Sequence, residues 1–286
     1  MAGERSFGSL LAAGYRTLRE KRLAFAGAVV IVAFVAVGIA APIIAPHDPL
    51  EIDLRNALSV PSAEHWFGTD NNGRDILSRV LYGARTSLFV SLLSVGCATI
   101  AGVFIGAVAG YYAHLQAPLM RFVDIVLAFP SIMIALIIVA VLGTGTMNVI
   151  VAIAVAQTPQ FARLVNAIVL ATKEDMYVEA GRAIGETDSS LLWRYVIPAC
   201  VPPVVVQISL LIPASIMTAS ALSFLGLGVQ PPNPEWGAML SLGKEWMRTA
   251  PHLMLFPGLA LMVVVLGFNL LGEGLRDLLD PKLRYE

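Results

Sequence analysis

The chain has 286 residues, of which 57% are hydrophobic and only 14% charged, and its mean hydropathy is +0.76. Soluble domains carry about a quarter of their residues as charges, so a water-soluble globule is excluded and an integral membrane protein is indicated. A formal net charge of -1 with dispersed lysines and arginines offers nucleic acid no basic patch. Cys97 and Cys200 have no metal, redox or disulfide spacing and read as small apolar packing residues.

A membrane span needs about 20 apolar residues. At the N-terminus Arg16, Arg19, Lys21 and Arg22 precede a charge-free run from Leu23 to Ala45, which is too long for a cleavable signal and reads as a retained first span. The second span runs from about Thr86 to Tyr112. The third, Ile125 to Leu142, and a fourth starting near Met147 are joined by a tight turn at Gly143-Thr-Gly-Thr. Arg163 interrupts the end of the fourth. The fifth covers about Cys200 to Leu227 and the sixth about Leu253 to Leu271. The expected fold is therefore all-α, with six transmembrane helices.

Six spans put both termini on one side. The segments of that side hold Arg5, Arg16, Arg19, Lys21, Arg22, Arg121, Arg163, Lys173, Arg182, Arg194, Arg276, Lys282 and Arg284. The other side holds Arg55, Arg74, Arg79, Arg85, Lys244 and Arg248. The richer set marks the cytoplasm. Both termini and the polar stretch 172–198 are thus expected inside, and the loops 46–85 and 228–252 outside.

In the second span Gly102, Gly106 and Gly110 recur every fourth residue, with Ala98 before them. Such a stripe lets a second helix approach closely, either within this chain or at a subunit interface. Pro130, Pro159, Pro213 and Pro257 fall within or near the ends of four spans and permit bends. No Asp, Glu, Lys or Arg sits near the centre of a span, which weakens a proton-coupled mechanism. Gln157, Gln207 and Asn269 remain there, as interhelical hydrogen-bonding residues before substrate ligands.

No HExxH, GxSxG or CxxC occurs. The nearest approach to a phosphate loop, Gly237 followed by Gly243-Lys244-Glu245, has the wrong spacing and a glutamate where Ser or Thr is needed. An enzyme is not expected, nor a nucleotide bound by this chain. Asp70-Asn-Asn-Gly-Arg-Asp75 lacks the spacing of a calcium loop and reads as a turn held by side-chain to backbone bonds, with Gly73 at positive φ. No metal site is expected.

The stretch 172–198 reads as two short helices joined at a glycine. Thr172 with Asp175 looks like an N-cap, Ala180, Ala183 and Ile184 form an apolar face, and Gly185 ends the first helix. Asp188 or Thr187 then caps a second helix through Trp193, stopped before Pro198. Gly181 and Gly185 leave bare backbone for a partner, with charge from Glu179 and Arg182. The alternative is an ordinary loop with an internal Glu179–Arg182 pair.

Glu179-Ala180-Gly181-x3-Gly185-x9-Tyr195-x2-Pro198 resembles the EAA motif of binding-protein-dependent ABC importer permeases, the cytoplasmic element that fits a groove of the ATPase subunit. Here Gly181 stands where the motif usually has Ala, and Tyr195 where a His is frequent. His65-Trp-Phe-Gly-Thr-Asp-Asn-Asn-Gly-Arg-Asp-Ile-Leu-Ser-Arg79, Tyr82-Gly-Ala-Arg-Thr-Ser-Leu88, the run Ala221 to Gly237 and the run Asn269 to Asp277 are similar to the C-type permease of the dipeptide, oligopeptide and nickel importer family.

The resemblance covers about residue 40 to the end. It implies a type I importer permease fold in the cell's inner membrane, with residues 1–85 as N-terminal segment, first span and outer loop, and 86–286 as a five-helix permease core. It also implies a paralogous permease partner, two ATP-binding cassette subunits that use ATP and Mg, and an extracytoplasmic binding protein. Glu179, Ala180, Gly181, Arg182, Gly185, Tyr195 and Pro198 would couple to the ATPases. Trp66, Asp70, Arg74 and Trp236 would offer contacts to the binding protein, unless the tryptophans sit as membrane-surface belts. Peptides are the expected cargo, before nickel or another small solute. The other classes are an ion-coupled secondary transporter and a membrane scaffold.

Overall fold

Long apolar helices dominate the computed structural model, which describes residues 22–279. They are α1 (Arg22–Ile44), α2 (Ile76–Tyr111), α5 (Thr146–Thr172), α8 (Ile197–Phe224) and α10 (His252–Leu279). Shorter helices connect them: α3 (Ala113–Leu127), α4 (Ser131–Leu142), α6 (Met176–Ala183), α7 (Asp188–Leu191) and α9 (Trp236–Gly243). The described residues contain no strand beyond one isolated bridge between Thr69 and Asp75. The N-terminal residues with Arg5, Arg16, Arg19 and Lys21, and the C-terminal ones with Lys282 and Arg284, lie outside the described residues.

The glycine stripe fixes how the two central helices pack. A Cβ on Gly102 would collide with Phe161, one on Gly106 with the Ala162 carbonyl, and one on Gly110 would lie 2.8 Å from Val169 Cβ. Contacts advance in step along α2 and α5, so these helices run parallel, and the seam is taken up within this chain. In lipid, this closeness substitutes dispersion contacts for the hydrophobic drive that water would supply. Gly27 packs equally closely on Gly267 and Leu271, which sets α1 antiparallel to α10.

These directions place the ends. Lys173 Nζ donates to the Gly110 carbonyl at 3.1 Å, so the stretch 172–198 sits at the far end of α2 from the loop 46–75. The described chain begins and finishes at that same end, since Ala24 lies against Gly274. At about 1.5 Å per residue α2 is about 54 Å long, well beyond a hydrocarbon core of about 30 Å. Its first turns therefore stand clear of the membrane and organise the opposite face.

The third span departs from expectation. Instead of one helix over Ile125–Leu142, α3 and α4 meet at a 92° bend around Ala128–Pro130. Pro130 cannot donate its nitrogen to continue α3, so the chain turns there. Twelve residues in α4 reach only about 18 Å, so this helix alone is too short to cross, and the sixth span exists only as the bent pair taken together. Pro159, Pro213 and Pro257 lie inside continuous helices. The fifth span also differs, because helical structure runs from Asp188 to Phe224 through one π turn at Leu192–Val196.

Candidate functional site

The stretch 172–198 folds as a knob whose interior is small. Thr172 is the last residue of α5, and its carbonyl accepts from Asp175 N at 3.0 Å. It is not the N-cap expected from sequence; Asp175 takes that position, without a side-chain cap bond. Val178 and Gly181 turn inward. A Cβ on Gly181 would stand 2.7 Å from Leu191 Cδ2, so this glycine serves packing inside the knob and does not offer backbone to a partner.

The helix end follows the αL capping pattern. Gly185 has φ +87, its N–H reaches the Arg182 carbonyl at 3.1 Å, and Glu186 N reaches the Gly181 carbonyl at 3.1 Å. Those two bonds are the Schellman motif, which needs a residue comfortable at positive φ. Thr187 then caps α7, its hydroxyl accepting from Ser190 N. Pro198 directly follows the π turn within the continuous helical run from Asp188 to Phe224, and so does not stop the second helix as expected.

One carboxylate that sequence reasoning did not single out ties the knob together. Tyr195 Oη donates to Glu186 Oε1 at 2.8 Å and Ser190 Oγ to Oε2 at 2.7 Å. These bonds, Ser190 first, hold the Glu186 carboxyl below its ordinary value. Tyr111 Oη donates to Asp188 Oδ1 at 2.9 Å and joins the knob to the end of α2.

The outer surface of α6 is left apolar. Met176, Ala180, Ala183 and Ile184 are exposed, Met176 by 86% and Ile184 by 79%, and lie at helical spacing on one side. Glu179, Arg182 and Gly185 are exposed beside them. Among the described residues no Glu179–Arg182 ion pair forms. Arg163 instead pairs with Asp124 across α5 and α3.

At the opposite end the two outer loops close on α2. Arg79 is buried, with Nη1 donating to the carbonyls of Pro49 at 2.9 Å and Pro232 at 3.4 Å, and with Nε 3.6 Å from Asp70 Oδ2. The expected turn forms: Asp70 Oδ1 accepts from Asn72 N and Arg74 N, and Gly73 has φ +75. Trp236 is fully buried against Gly83, with Nε1 donating to the Val80 carbonyl at 3.1 Å. Glu235 caps α9 through Gly237 N and Ala238 N, while burial pushes its carboxyl up.

Of the four residues expected to meet a binding protein, only Trp66 is exposed. Asp70, Arg74 and Trp236 are internal; Trp236 packs on Gly83 and Val80 of α2, a contact between segments far apart in sequence.

The comparisons extend over the whole arrangement. Residues 98–285 match the family described as binding-protein-dependent transport system inner membrane component, and residues 9–61 match the N-terminal TM domain of oligopeptide transport permease C. A dipeptide transport system permease protein, DppC, of Alkalihalophilus pseudofirmus is 43% identical over 94% of this chain and 89% of its own length. A glutathione transport system permease protein, GsiD, of Escherichia coli is 44% identical over 94% and 90%.

The fold is shared with the MetNI methionine ABC transporter in an inward-facing form, at a TM-score of 0.56 and 17% identity over 71% of this chain and 96% of that one. An amino acid ABC transporter gives 0.53 and 15% over 73% and 95%. Five long apolar helices with a bent pair and this extent of similarity identify the chain as a member of the binding-protein-dependent ABC transport permeases, a multi-pass inner-membrane protein.

Proposed function

We propose that this chain is a permease subunit of an ATP-driven importer that moves short peptides across the inner membrane. The cargo class is supported by the dipeptide and glutathione permeases to which the chain is similar along nearly its full length. It pairs with a paralogous permease, and an extracytoplasmic binding protein delivers the peptide to the loops 46–75 and 228–252. Two ATP-binding cassette subunits hold ATP and Mg, neither of which this chain binds. The knob faces the cytoplasm, and the described ends of the chain, at Arg22 and Leu279, share that side.

The observation that carries this reading is the exposed apolar face of α6 beside the Gly185 cap, backed by the Glu186 bonds. Residues as apolar as Met176 and Ile184 are stable in water only at a cost, and a partner groove removes it. Closure of the ATPases moves the knob as a unit, and Tyr111 and Lys173 pass that motion to α2 and α5. The pathway between the two permeases then changes the side it faces, which is alternating access. The Asp124–Arg163 pair sits at the bent span's junction with α5, where such a movement repacks helices.

The test is uptake of a labelled dipeptide and of glutathione by vesicles holding the assembled complex, with the binding protein inside or outside. ATP-dependent uptake only with the binding protein on the outer face is expected. Uptake driven by an ion gradient without ATPase subunits contradicts the proposal.

A further inference from the structure

At the end of the molecule opposite the knob, three side chains converge that none of the proposed transport steps uses. His47 follows α1, His65 lies in the loop before α2, and Asp75 is the N-cap of α2. His65 Nδ1 is 3.0 Å and His47 Nδ1 is 3.8 Å from the same oxygen, Asp75 Oδ1, and all three donor atoms lie within 4.8 Å of one another. The imidazole rings are 4.7 Å apart at 37°. His47 Nδ1 is shielded from solvent and has no hydrogen-bond partner among the described residues.

We propose that His47, His65 and Asp75 form a binding site for one divalent transition cation of the zinc class. Two imidazole nitrogens and one carboxylate oxygen are the donor set such ions favour, whereas calcium and magnesium take oxygen. Ligands about 2.0–2.1 Å from a tetrahedral ion stand about 3.4 Å apart, so the present spacing closes onto an ion with small side-chain rotations. Coordination through Nδ1 would replace the His65–Asp75 hydrogen bond, with the imidazole proton carried on Nε2.

The surroundings are arranged to hold these ligands. Asp75 Oδ2 accepts from Ser78 N and Ser78 Oγ, each at 2.8 Å, which turns Oδ1 toward the histidines. Ser78 Oγ also accepts from His47 N at 3.1 Å, so one hydroxyl positions two ligands. Such support fixes ligand orientation before the ion arrives. The cluster opens on a cavity of about 160 Å³ also lined by Asp48, Glu51, Asp53 and Glu64. Their negative field attracts a cation, and the cavity has room for water in the fourth position. Arginines dominate the adjacent turn instead, where Arg74 and Arg79 flank Asp70. The ion would pin the chain after α1 to the loop at residue 65 and the start of α2, stiffening the outer face.

The test uses full-length, tag-free protein stripped with a chelator and titrated with Zn2+ against a chromogenic competitor, then with Co2+ to read its visible spectrum. One equivalent of Zn2+ is expected, with a tetrahedral Co2+ spectrum. His47→Ala, at a half-exposed position away from the helix cap, should weaken Zn2+ binding at least tenfold, and His114→Ala should leave it unchanged. Absence of stoichiometric binding, or binding indifferent to His47→Ala, overturns the proposal. If His47→Ala lowers expression, His47→Gln supplies the same comparison, and an octahedral Co2+ spectrum in the unaltered protein counts against the site by itself.

Discussion

Tyr195 and Glu186 are joined by a 2.8 Å hydrogen bond that spans the glycine corner of the knob, linking the π turn to the residue after the Gly185 cap. The bond ties the connection between α6 and α7 to the π turn. The Tyr195 phenol reaches the carboxylate from within the helical run that becomes α8.

Tyr195→Phe should loosen the knob. The Glu186 carboxyl has a depressed pKa in the folded chain, so its stabilising effect is present above the ordinary carboxylate pKa and is lost as pH falls through the lowered value. Hydrogen exchange over residues 186–196 should be faster in the variant at neutral pH. The difference should shrink on acidification, as Glu186 is protonated in the unaltered chain too. A difference that does not change with pH argues that the bond is not what the mutation removed.

Gly185→Asp should uncouple hydrolysis from import. Among the described residues nothing lies within 4 Å of a Cβ there, so the cost within them is the positive φ, about 1–2 kcal/mol for an ordinary residue. Aspartate tolerates that conformation better than most residues, and the larger effect is its charge in a close partner contact. Import should fall at least about tenfold while the complex assembles and hydrolyses ATP, which corresponds to about 1.4 kcal/mol of coupling. Gly185→Asn, which keeps the αL cap without the charge, should retain more transport. Normal import by the aspartate variant removes the docking role.

Gly106→Val should disrupt the α2–α5 seam. Its side chain would meet the Ala162 carbonyl, Val165 and Asn166, and overpacking of this kind costs about 1–3 kcal/mol or more. Among the described residues, nothing lies within 4 Å of a Cβ on Gly96. Thermal unfolding of the isolated chain in detergent should therefore drop for Gly106→Val and stay near the unaltered value for Gly96→Val. Equal losses would indicate helix propensity in place of packing.

Arg79→Ala should free the outer loops. The change removes the donor to Pro49 and Pro232 and leaves Asp70 with a weaker cationic partner, a type of loss that costs about 3–5 kcal/mol when the group is buried. Limited proteolysis should cut within 46–75 or 228–252 much faster than in the parent. Arg79→Lys, which keeps the charge without the fork, should fall between them.

Much of this fold was legible because its signals are local. Charge-free runs marked the spans, the spacing of Gly102, Gly106 and Gly110 marked a close helix contact, and Gly73 and Gly185 marked turns that require positive φ. What was not legible depends on distant partners. Gly181 read as surface backbone until Leu191 was seen against it. Trp236, at the start of α9, is buried against Gly83 and Val80 of α2, a contact between segments far apart in sequence, and Asp70 is buried against Arg79. Pro130 signalled a bend but not its size, since a 92° turn is fixed by where α4 finds its packing on α5.

The most direct test of the account places a single cysteine at Ile184, on the exposed face of α6, with Cys97→Ser removing the exposed native thiol. In the assembled complex, Ile184→Cys should cross-link to a cysteine in the groove of an ATP-binding cassette subunit, and in intact cells it should resist a membrane-impermeant thiol reagent. Labelling from outside the cell, with no cross-link to the ATPase, would contradict both the orientation and the coupling role of the knob.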